Sequence, residues 1–61
     1  MMDYKKEVKE VLAQVRFAKN RLAGITMEME EEGKETEGLG EALEGLDDVV
    51  DIISDYLEGE A

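Results

Sequence analysis

The sequence predicts an all-α fold, an antiparallel two-helix hairpin that dimerises into a four-helix bundle. Three observations carry this. Apolar residues recur at steps of 3 and 4 over two long stretches, no proline interrupts either, and a short polar segment bounded by Gly33 and Gly38 separates them. The expected organisation is a single domain, residues 1–61, with helix one over about 3–31, a connection over about 32–38 and helix two over about 39–58.

Helix one is read from the row Tyr4, Val8, Val11, Val15, Ala18, Leu22, Ile25 and Met29, in which steps of 4 and 3 alternate and no position is polar. Leu12 lies beside Val8 and Val15 and widens the stripe. Asp3 is the expected N-cap, and Glu7 stands in the first turn, where the helix macrodipole favours an acid. Glu28, Glu30, Glu31 and Glu32 crowd the other end, where the dipole disfavours them, so fraying of the last turn is expected. Gly33 is the expected left-handed stop.

Helix two begins near Thr36 or Gly38, with Thr36 as its N-cap, and carries the row Leu39, Leu43, Leu46, Val50, Ile53 and Leu57. Ala42, Val49 and Tyr56 repeat every seven residues beside that row, and Ile52 is expected to extend the other flank. Gly40 and Gly45 weaken the helix by up to ~1 kcal/mol each relative to alanine. A stripe this wide predicts contact with more than one neighbouring helix.

The connection is short, so the helices are expected to be antiparallel neighbours. A lone hairpin leaves half of each wide stripe exposed, and a symmetric dimer is the economical way to cover it. Val8, Val15, Leu22, Val49, Ile52 and Tyr56 are the expected self-association residues. Size argues the same way, because a chain of 61 residues is marginal alone and this one has neither cysteine nor histidine for disulfides or the common zinc sites.

The net charge is −10 and is unevenly placed. Residues 1–24 sum to +3, whereas residues 25–61 sum to −13. Such a chain is repelled at long range by nucleic acid and by anionic membranes, so neither is the expected partner. No apolar run reaches the ~20 residues of a membrane span, and Met-Met-Asp-Tyr-Lys-Lys lacks the apolar core of a signal peptide. The expected location is cytoplasmic.

Nucleophilic catalysis finds little to work with: Ser54 is the one serine, set inside helix two without a histidine base. Carboxylates are the remaining chemical resource. Glu28-x-x-Glu31 and Glu44-x-x-Asp47 each place two carboxylates one turn apart, a disposition able to hold Mg²⁺. These four residues resemble the E-x-x-E and E-x-x-D signature of the all-α nucleotide pyrophosphohydrolases related to MazG. That resemblance implies Mg²⁺-dependent release of pyrophosphate from nucleotides.

Two surfaces point instead to binding. Glu41, Glu44, Asp48, Asp51, Asp55 and Glu58 form an acidic stripe on helix two opposite its apolar row, with like charges at i, i+3 and i, i+4. The plain explanation is a solvated face that keeps a small oligomer in solution. The sharper one is a docking face for a basic partner, in one version by mimicry of nucleic-acid phosphates, as in small phage inhibitors. On helix one, Phe17 stands away from the core with Arg16, Asn20 and Arg21, either an incidental exposed aromatic or an anchor for a protein partner. In size, architecture and the Arg16–Phe17 pair the chain is similar to the Rop-type bundle proteins of plasmids, a similarity that implies RNA binding through helix one.

The expected function is that of a small, acidic, non-catalytic protein–protein interaction module, an inhibitor or regulator acting on a basic partner. No catalytic residue, metal ligand or cofactor site is assigned.

Overall fold

The computed structural model describes residues 3–59 and consists of two helices packed as a hairpin, α1 (Tyr4–Glu31) and α2 (Glu37–Gly59). Residues 1, 2, 60 and 61 of the expected domain lie outside the described part. The hairpin measures 50 × 17 × 12 Å, so it is one helix thick and two helices wide. No helix of the described residues is long and apolar enough to cross a membrane.

Local chemistry sets the ends. Asp3 takes an extended conformation (φ −92°, ψ 93°), and its carboxylate accepts from the Lys6 backbone N–H at 3.1 Å, the expected N-cap. At the other end Gly33 adopts φ 75°, a left-handed conformation open to glycine at little steric cost. The Lys34 N–H then reaches back to Met29 O and the Gly33 N–H to Glu30 O, at 2.8 and 3.0 Å. This doubly bonded cap satisfies carbonyls at the helix end, and α1 holds to Glu31 although its last turn has no basic residue. Helix α2 starts at Glu37, directly after Thr36 as expected and two residues ahead of the apolar row that begins at Leu39, with the Thr36 carbonyl already accepting from the Leu39 and Gly40 N–H.

The inner face of α2 is the expected one: Val50 is buried, and Leu39, Leu43, Leu46, Ile53 and Leu57 are half-buried. Helix α1 differs. Its inner row is Val8, Leu12, Val15, Lys19, Leu22, Thr26 and Met29, so Leu12, Lys19 and Thr26 take the places expected for Val11, Ala18 and Ile25. The helix is turned by one residue at every second position. Leu12 brings more apolar surface to the core than Val11 would, and burying such a side chain contributes about 1.5–3 kcal/mol. Thr26 enters without an orphaned hydroxyl, since its Oγ1 donates to Leu22 O at 2.8 Å. Lys19 lays its stem along the seam and sends its ammonium to Asp47 of α2.

The resulting core is thin. Leu12 and Val50 are its buried apolar residues, and among the described residues no large side chain is fully buried.

Candidate functional site

The rotation of α1 decides what each surface of the slab carries. One step back along a helix turns a side chain by about 100°. Because the helices face each other and run antiparallel, residues that immediately precede an inner residue lie on the same broad face of the hairpin. In α2 these are Gly38, Ala42, Gly45, Val49, Ile52 and Tyr56, an unbroken apolar or small row. In α1 they are Glu7, Val11, Gln14, Ala18, Arg21, Ile25 and Glu28, three apolar positions alternating with four polar ones, and Tyr4 continues the seven-residue spacing of the apolar set. Tyr4, Val11, Ile25, Val49, Ile52 and Tyr56 are all exposed, Ile52 at 67% and Tyr56 at 56%. Ile52 therefore stands on the same flank as Val49 and Tyr56, not on the opposite one.

Of the residues expected to mediate self-association, Val49, Ile52 and Tyr56 remain open on this face. Val8, Val15 and Leu22 are already half-buried on the inner row.

The opposite broad face is polar. Residues that follow the inner rows include Lys9 and Arg16 on α1, and Glu44, Asp47 and Asp51 on α2. The Lys19–Asp47 ion pair bridges the helices on this side.

The acidic stripe runs along the outer edge of α2 and spills onto the polar broad face, where Glu44, Asp51 and Glu58 lie. Glu41, Glu44, Asp48, Asp51, Asp55 and Glu58 are all exposed, and among the described residues none of them enters a salt bridge. The far edge, on α1, presents Phe17 at 69% exposure, with Arg16, Asn20 and Arg21 exposed around it and Met27 ten residues on. Thus both expected binding surfaces face solvent on opposite edges.

The two carboxylate pairs are not drawn into one centre. Lys19 stands level with Asp47, so Glu28 lies alongside the start of α2 and well beyond Glu44 along the hairpin. Asp47 is engaged by Lys19, and among the described residues no three carboxylates stand close enough to hold a metal ion. Ser54 is half-buried within α2. No pocket is found among the described residues, and the surfaces on offer are flat faces and ridges.

Two features escaped the sequence reading. One is the inward position of Lys19 and Thr26, for which the seven-residue spacing from Leu12 was the available signal. The other is the division of the slab into an apolar and a polar broad face, signalled by the uninterrupted row from Gly38 to Tyr56.

Compared with protein-family models, with curated proteins and with solved structures, the chain matches none of them.

Proposed function

We propose that this chain is a small non-catalytic interaction module, a homodimer of hairpins in a four-helix bundle that offers its acidic edge to a basic partner as an inhibitor or regulator. The observation that supports it most is the state of that edge: six exposed carboxylates in helical register, with no salt bridge among the described residues. A helix shaped for stability alone would place lysines four residues from those acids. Keeping them unpaired holds a linear negative field along a rigid rod, and such a field steers and orients a basic surface.

The test compares two variants of equal charge. Asp48→Asn, Asp51→Asn and Asp55→Asn together remove three charges from the stripe; Glu28→Gln, Glu30→Gln and Glu31→Gln remove three from the end of α1. Binding to a basic helical peptide, read by fluorescence anisotropy, is expected to weaken at least tenfold in the first variant and by about twofold in the second. Affinity also falls as salt rises. Equal weakening in both would show that net charge alone matters and would remove the stripe as a specific surface.

Phe17 supports a second reading, in which α1 is the working edge and binds RNA. That reading expects Phe17→Ala and Arg16→Ala each to abolish RNA binding while helicity is kept.

A further inference from the structure

We infer that the apolar broad face is the seat of a second copy of this chain, stacked so that α2 of each hairpin lies over α1 of the other and both connections emerge at the same end. The inference rests on the dimer reading above and adds its face and its orientation.

Area and composition select the face. It is 50 Å long and 17 Å wide, close to the ~800 Å² per partner that a stable specific interface buries. Its α2 half holds no charged residue from Gly38 to Tyr56 and its α1 half holds three, Glu7, Arg21 and Glu28, whereas the opposite broad face carries seven, Lys9, Arg16, Glu30, Glu44, Asp47, Asp51 and Glu58. A slab 12 Å thick has no second layer of its own to cover it. Another copy brings the same surface, as a two-fold interface requires.

Charge selects the orientation. Helix α2 carries eight acidic and no basic side chains, and α1 carries six basic and five acidic. A face-to-face dimer has two symmetric choices. With the connections at opposite ends, α2 packs on α2 and the rims formed by Glu41, Asp48 and Asp55 meet their own copies, a like-charge juxtaposition that opposes association. With the connections at the same end, α2 packs on the partner's α1; Glu28 then comes level with Gly38, but α1 is positive by one charge overall, so the facing helices differ in sign, and Arg21 comes beside the Glu41–Asp48 rim.

Shape agrees with the second choice. Lys19 stands opposite Asp47, so Ile25, six residues later, stands level with Glu41, six residues earlier. Rotation about the long axis keeps that level and sets Ile25 over the notch made by Gly38, Ala42 and Gly45. A Cβ built on Gly38 or Gly45 meets nothing within 4 Å inside the hairpin, so the hairpin itself gives no reason for glycine there. Close approach of a partner side chain gives one.

The experiment is a distance measurement between spin labels. The chain has no cysteine, so Lys34→Cys in the connection gives one label per chain. Glu35→Cys serves as an independent second site. Stacked helices pack ~8–10 Å apart, so connections at one end place the two labels within ~30 Å once the tethers are included. Connections at opposite ends place them near the 50 Å length of the hairpin. The short distance is expected from both sites. A long distance in a particle of dimer mass would overturn the orientation and leave the dimer standing. Absence of dipolar coupling in a particle of monomer mass would overturn the dimer itself.

Discussion

Lys19 of α1 donates a hydrogen bond to Asp47 of α2, joining by charge two residues 28 positions apart in the chain. The pair sits at the border between the seam and the polar face. It marks the register of the two helices, with Lys19 level with Asp47, while packing supplies most of the stability. Asp47 is largely exposed, with its side chain at 64%, so the pair contributes no more than ~1 kcal/mol. Asp47→Asn is expected to lower stability by less than that in urea unfolding, with the loss shrinking at high salt. A loss of several kcal/mol would mean that the pair holds the hairpin together.

The thin core makes its few buried residues critical. Leu12→Ala removes one of the two buried apolar side chains and is expected to destabilise by about 2–4 kcal/mol, a large fraction of what a chain of this size has. Circular dichroism on heating should show a much lower midpoint or no folded baseline.

Gly40 lies in the first turns of α2 on the flank away from the apolar face, and a Cβ built on it meets nothing within 4 Å. Gly40→Ala is therefore expected to raise stability by up to ~1 kcal/mol and to leave self-association unchanged. Gly45→Leu places bulk in the apolar face and is expected to weaken the proposed dimer while α2 stays helical. Chemical denaturation and gel filtration of the two variants separate these effects.

Like charges four residues apart along the stripe, Glu44 with Asp48 and Asp51 with Asp55, oppose helix formation by ~0.2–0.5 kcal/mol per pair. Asp48→Lys with Asp55→Lys turns these repulsions into attractions, and a higher melting temperature is expected. The same variant should lose binding to a basic peptide. A lower melting temperature would show that these acids are structurally engaged.

Legibility in the sequence followed the range of the interaction. The caps at Asp3 and Gly33 were readable because each depends on a few neighbouring residues. The inner row of α2 was readable because the acids behind it leave one way to place the helix. For α1 two rows competed, and the one with more apolar residues was not the one turned inward. Counting apolar positions could not foresee that Lys19 has a partner in α2 or that Thr26 satisfies its own hydroxyl. The exposed stripe and Phe17 were legible as the positions opposite each seam. The apolar face became visible only once the rotation of α1 was known, since Val11, Ala18 and Ile25 read as core until the structure turned them outward.

The most direct test of the central claim, that the exposed apolar face of the hairpin is covered by self-association, is sedimentation equilibrium of the purified chain at low and high salt. The expected result is a particle of twice 6.8 kDa at both. Ile52→Glu, with a charge in the middle of that face, should return it to the monomer mass with the helices intact. A wild-type chain that sediments as a 6.8 kDa monomer at both salt concentrations would contradict the claim.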